Sequence, residues 1–165
     1  MIKKFLLAVM IAIPAFGFAQ VKFGVVDTQP IIQDLPDMKE AQAQLEASNN
    51  KLQEEFKLLE EEFNKLYKEF QALGEDTPAT IRERRQNDLQ EKHQKIQQFQ
   101  QTAEQDLQRQ YEQLMAPIQQ KIQNAITAVG QENGFTFIFE KGVPLYVGKD
   151  VVDATSLIRA KLGLK

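Results

Sequence analysis

Leucines recur every seventh residue through the first half of the chain, at Leu45, Leu52, Leu59, Leu66 and Leu73. Phe56, Phe63 and Phe70 each follow one of these leucines by four positions. With the leucines at heptad position d, the phenylalanines take position a, and the pair defines the seam of a helix packed lengthwise on another helix. The pattern predicts one long helix over residues 37–73. Asp37 is its expected cap, Glu40 completes a capping box, and Gly74 is its stop. Residues 74–78 are the tip of a hairpin, with Thr77 suited to cap the return helix and Pro78 to open it.

The return helix is expected to run from Pro78 to Asn133, with Gly134 as a left-handed stop. Its apolar residues are spaced by eleven: Ile96, Leu107, Ile118 and Val129 in one row, Ala103, Leu114 and Ala125 in a second, Tyr111 and Ile122 in a third. That spacing relaxes or reverses the left-handed supercoil of a heptad seam. Pro117 lies inside this helix, where it removes one backbone hydrogen bond and predicts a bend. The bend is either fixed or the hinge of an arm.

Short elements flank the hairpin. Residues 21–26 read as a strand. Asp27 or Thr28 is placed to cap a short helix carrying Ile31, Ile32 and Leu35, which Pro36 ends. Residues 135–139 read as an aromatic strand, 140–144 as a turn and 145–147 as a further strand. Asp153 is placed to cap a final amphipathic helix with Leu157, Ile158 and Leu162. The return helix is longer than the outgoing one, so its last turns must pack on the strands. The fold class is therefore α+β, mostly α. Residues 20–36 and 134–165 form a small body, and an antiparallel coiled-coil hairpin over 37–133 projects from it as an arm. Three short strands and two short helices bury too little apolar surface to stand comfortably alone. The body is expected to be completed by copies of itself.

The first nineteen residues read as a signal peptide. Lys3 and Lys4 precede an apolar stretch over residues 5–13, and Gly17 and Ala19 are the small residues before a cut near Ala19–Gln20. Export across the inner membrane to the periplasm follows. Cleavage leaves 18 basic against 23 acidic residues, a formal charge of −5, which argues against nucleic acid as the main partner. No cysteine is present, so packing or oligomerisation must supply the stability that disulfides give many exported chains.

Catalytic constellations are not found. The sequence has no glycine-rich phosphate loop and no Gly-x-Ser-x-Gly elbow. The carboxylates Glu54, Glu55, Glu60, Glu61 and Glu62 sit on one long helix and read as solvated surface. His93 is the single histidine, and with no cysteine it cannot build a zinc site of the usual kind. No enzyme activity, cofactor or metal is expected. Arg82, Arg84 and Arg85 form a basic patch just past the tip, read either as a solvated face or as a contact for acidic clients or lipid headgroups.

Taken in order, the cleaved leader, Val21-Lys22-Phe23-Gly24-Val25-Val26-Asp27, the hairpin, Pro117-Ile118, Asn133-Gly134-Phe135, the strand pair and the final helix resemble the Skp family, also called the OmpH family, of periplasmic chaperones. The resemblance spans the whole mature chain. It implies a homotrimer whose pooled strands make a small β-barrel body and whose three arms enclose a cavity. Unfolded outer-membrane proteins would be held there without ATP. On that basis Phe23, Val25, Phe135, Phe137, Ile138, Phe139, Leu145 and Val147 are the expected trimer-body residues. Phe56, Phe63, Phe70 and Phe99 either fill the seam of the arm or turn a ring edge to clients. Familiar members are basic overall, whereas residues 38–73 here hold five lysines against eight glutamates. Apolar contact is therefore expected to dominate over charge, with at most weak contact to membrane or lipopolysaccharide. A second reading is a structural spacer or adaptor that binds one folded envelope partner.

Overall fold

The computed structural model describes residues 21–165; the expected signal peptide and its cut lie outside the described residues. Strand β1 (Phe23–Val26) leads into a short helix α1 (Thr28–Asp34). Two long helices follow, α2 (Pro36–Gln71) and α3 (Ala79–Glu132), then strand β2 (Phe137–Glu140), strand β3 (Val152–Asp153) and the last helix α4 (Thr155–Lys161). The three strands form one sheet in the order β2-β1-β3, with both neighbours parallel to β1.

The arm is an antiparallel hairpin, as the pairs across it show. Moving from base to tip, Asp37 meets Lys121, Phe56 meets Phe99, Glu62 meets Lys92 and Glu69 meets Arg85. At about 1.5 Å per residue α2 spans about 54 Å and α3 about 81 Å. The surplus of α3 enters the body. Met115, Ile118, Ile122, Ala125 and Val129 are buried there, against Val26, Ile31, Leu35 and Ile158 from the short elements. The eleven-residue row thus does two jobs. Its last members, Ile118 and Val129, form the spine of the body, while Ile96 and Leu107 are half-buried in the arm. Tyr111, of the third row, is exposed instead.

Helix α3 covers one face of the sheet; on the other, the loop after β2 covers Val25 but leaves Phe23, Phe137 and Phe139 exposed. Ile138 packs on the α3 side, close to Gly130, and Phe135 fills the space beside Gly24. A Cβ on Gly24 would stand 2.9 Å from the Phe135 ring, so the centre strand needs glycine for the ring to lie against its backbone. Lys22 holds the corner: its Nζ donates to the Asn133 carbonyl at 2.9 Å and lies 4.2 Å from the centroid of the Phe135 ring. Gly134, with φ of +67°, makes the left-handed exit from α3 that its position after the helix requires.

Several local expectations are corrected. No strand forms over residues 145–147; the third strand is Val152–Asp153. Leu145 is fully exposed and Tyr146 nearly so, and an isolated extended segment without a ladder partner is not a strand. Gly74 does not end α2 in a left-handed turn; α2 ends in right-handed backbone at Ala72. Thr77 does not cap α3, whose N-cap is Pro78, and the Nη2 of Arg82 instead reaches back to the Gly74 carbonyl at 3.0 Å.

Helix starts expected to cap themselves are served from far away. Thr28 donates its N–H to Glu140 Oε1 at 3.1 Å, and Asp27 donates its N–H to the Thr155 hydroxyl at 3.0 Å. Asp37 sits inside the first turn of α2 rather than at its cap, and its carboxylate accepts from Lys121 Nζ at 2.5 Å. The N-cap of the last helix is Ala154 rather than the expected Asp153, which stands one residue before it and whose Oδ1 accepts the Thr155 N–H at 2.9 Å. The Thr155 hydroxyl and then this N–H hold the Asp153 carboxyl below the usual carboxylate range. A depressed carboxylate pKa stabilises the fold above the pKa of the unfolded chain, and the contribution is lost as pH falls through the folded value. Asp153→Ala should lower stability by about 1 kcal/mol at neutral pH. It should also flatten the loss of stability below about pH 4. Urea titrations of both proteins at pH 7 and pH 3 check this; equal differences at the two pH values would rule out a contribution from the ionised Asp153 carboxylate.

Candidate functional site

Two surfaces carry chemistry that the core does not consume. The first is the seam of the arm. Phe56, Phe63, Phe70 and Phe99 are all half-buried, so each ring enters the seam and keeps part of its surface in water. Phe56 stacks on Phe99 across the hairpin, with ring centroids 6.5 Å apart. Phe63 stacks on Tyr67 of its own helix at 6.3 Å and meets the His93 ring across the hairpin at 6.0 Å. Of the five seam leucines only Leu59 is fully buried. A two-helix seam has no third neighbour to close over side chains of this size, which is why its aromatic rings stay partly wet.

Ion pairs tie the two helices beside the seam. Lys92 bonds the Glu62 carboxylate and holds its pKa below the usual range, first through the hydrogen bond and then through its charge. Arg85 lies 3.5 Å from Glu69. Arg85 is half-buried and directed back to the outgoing helix, Arg82 is half-buried and directed to the tip at Gly74, and Arg84 is exposed. The three arginines do not share one face. His93 is exposed and contacts Gln97 at 3.2 Å.

At the root of the arm α3 passes Pro117 without a break. Proline has no N–H, so the carbonyl of Gln113, exposed to solvent, lacks its intrahelical donor. Beside it the Asp37–Lys121 pair closes a groove of about 250 Å³ that also touches Ala41, Leu114 and Ile118. Pro117→Ala restores one backbone bond. If Pro117 is a hinge, small-angle scattering should show a narrower spread of arm positions in the variant; an unchanged spread identifies a fixed bend.

The second surface is the open face of the sheet. Phe23 stacks on Phe137 at 6.1 Å, and Phe137 on Phe139 at 5.8 Å, in one aromatic row. These rings are 41%, 55% and 40% exposed, Phe23 on the centre strand and Phe137 and Phe139 on the edge strand β2. Val25 is buried beneath the loop that follows β2, and together they border a cavity of about 330 Å³ with Phe139, Pro144 and Val147. Leu145, Val143 and Tyr146 project from that loop into solvent. The eight expected body residues thus divide by face. Phe135 and Ile138 belong to the covered side, Val25 lies under the loop, and the other five are open to solvent. Alternation within β2 was visible in the sequence, but which side α3 covers depends on a helix that ends just before it.

Among the described residues, no helix is long and apolar enough to cross a membrane. No individual curated protein matches the chain significantly. A profile of the family described as outer membrane protein (OmpH-like) matches residues 22–162, which take in the sheet, both arm helices and all of α4. The chain belongs to that OmpH-like family.

Proposed function

We propose that this protein is an ATP-independent holdase of the periplasm. Its trimer arms enclose unfolded outer-membrane proteins and keep them from aggregating. Membership of the OmpH-like family supports a chaperone-type role toward outer-membrane proteins. The observation that carries the finer reading is an open aromatic sheet face at the root of a helical arm about 54 Å long. Such a face is unfavourable in water and favours assembly, and copies joined through it carry their arms together.

Three copies pooling β1, β2 and the 143–147 segment close the body. Leu145 and Val147, unpaired in the single chain, then gain neighbours. The arms supply many weak apolar contacts at half-buried Phe56, Phe63, Phe70 and Phe99, and contacts within one cavity add through effective concentration. The acidic arm leaves electrostatic attraction to lipopolysaccharide or anionic membrane weak.

The test is light scattering after a urea-denatured outer-membrane barrel is diluted into buffer without nucleotide. Suppression at about one trimer per client, for several unrelated barrels, supports the holdase. Failure with every barrel, together with tight binding of a single folded envelope protein, identifies a spacer or adaptor instead.

A further inference from the structure

Of the six asparagines in the chain, Asn133 alone is followed by glycine. The pair forms the exit from α3, and both residues are exposed to solvent. Gly134 has no Cβ, so nothing of its own side chain shields its backbone nitrogen from the asparagine side chain before it. The Asn133 side-chain amide is tethered by one bond, from its Nδ2 to the Val129 carbonyl at 2.9 Å. The Gly134 N–H is held weakly, donating to the Gln131 carbonyl at 3.4 Å.

A cation stands on the same peptide group. The oxygen that accepts from Lys22 Nζ at 2.9 Å is the Asn133 carbonyl, and the nitrogen conjugated to it is that of Gly134. When this nitrogen gives up its proton, resonance places the negative charge on that oxygen. A preplaced ammonium stabilises such a charge as an oxyanion hole does. Lys22 is itself fixed, half-buried and with its Nζ 4.2 Å from the centroid of the Phe135 ring. It lies 111 residues from Asn133 in sequence, so the arrangement exists only in the folded chain.

We infer that Asn133–Gly134 is a self-modifying site, where Lys22 promotes the conversion of asparagine to aspartate and isoaspartate in the folded protein. Hydroxide takes the Gly134 N–H proton. The nitrogen then bonds to Cγ of Asn133, the Cγ–Nδ2 bond breaks, and Nδ2 leaves as ammonia with a proton from water. The cyclic imide so formed adds water at either carbonyl. It opens to aspartate, or to isoaspartate with the main chain rerouted through the side chain. One water is consumed and one ammonia released, with no change of oxidation state. Both products lose the Nδ2 donor to Val129 and put a carboxylate at the C-terminal end of α3, where the helix dipole disfavours it. Isoaspartate also adds a main-chain atom just before Phe135 and Thr136, whose N–H groups bond the Gly130 and Lys22 carbonyls at 2.9 and 2.8 Å. These bonds lead into β2, so the modification loosens its pairing with β1.

The experiment incubates the folded protein in mildly alkaline buffer and follows isoaspartate by peptide mapping, with the other asparagines as standards in the same chain. Asn133 is expected to react ahead of them. Lys22→Met keeps an apolar stem over Phe135 and removes the charge; it should slow the reaction about tenfold or more. Lys22→Gln should slow it likewise, while Lys22→Arg, which keeps a cation, should stay near the unmodified rate. Circular dichroism verifies that each variant is folded, and in concentrated urea all four proteins should react alike. A lysine that only ties the corner predicts the opposite sign, since removing it frees Asn133 and speeds the reaction. Faster or equal reaction in Lys22→Met and Lys22→Gln, or no isoaspartate at Asn133 in the folded protein, overturns the inference.

Discussion

Phe137→Asp is expected to yield a folded monomer at concentrations where the unmodified protein is assembled. The ring is 55% exposed and stacks between Phe23 and Phe139 on the open sheet face, so its removal withdraws little from the core of its own chain. In the proposed assembly the same position would be buried, and a carboxylate there would have to be desolvated without a partner. Loss of a central aromatic anchor alone costs about 2–4 kcal/mol in an interface, roughly a thirty- to thousand-fold loss of association. The charge adds to this in each copy. Sedimentation velocity gives the mass and circular dichroism the helix content. Phe137→Leu, which keeps the apolar surface, should remain assembled. An assembled Phe137→Asp protein would mean that copies meet elsewhere.

The second large effect concerns folding. Ile158 is wholly buried in α4 and shares the core with Ile31, Leu35 and Val129. Ile158→Ala should lower stability by about 2–5 kcal/mol, because the cavity left by the side chain adds to the lost transfer energy. A small body has little to spare, since whole domains are stable by only about 5–15 kcal/mol. Leu157, next to it in sequence, is 38% exposed, and Leu157→Ala should cost about 1 kcal/mol or less. Both substitutions are best compared in the Phe137→Asp monomer, where assembly adds no stability of its own. Denaturant midpoints for the two should differ clearly; similar midpoints would show that α4 does not anchor the body.

The arm was legible in the sequence because a heptad repeat is a local signal repeated five times, and each leucine supports the next. Gly134 was legible for a similar reason, since the left-handed backbone it adopts selects its residue type locally. The body was less so. β3 is two residues long, Val152 and Asp153, too short to show any periodicity. The expected strand over residues 145–147 has the composition of a strand but no partner in its own chain. Local rules also assigned caps to Asp37 and to Asp27 or Thr28, whereas Asp37 bonds Lys121 and Thr28 bonds Glu140, 84 and 112 residues away in sequence. The candidate site divides along the same line. The aromatic residues of arm and body stood out by type and spacing, but their half-buried state depends on how two helices meet.

The central claim is that copies of this chain assemble through the open sheet face to enclose an unfolded client. Native mass spectrometry of the mature protein, alone and after a urea-denatured outer-membrane barrel is diluted into it, tests this most directly. The account predicts a mass of three subunits that gains one client and leaves no precipitate. A monomer or dimer, or a trimer beside which the barrel precipitates, would contradict it.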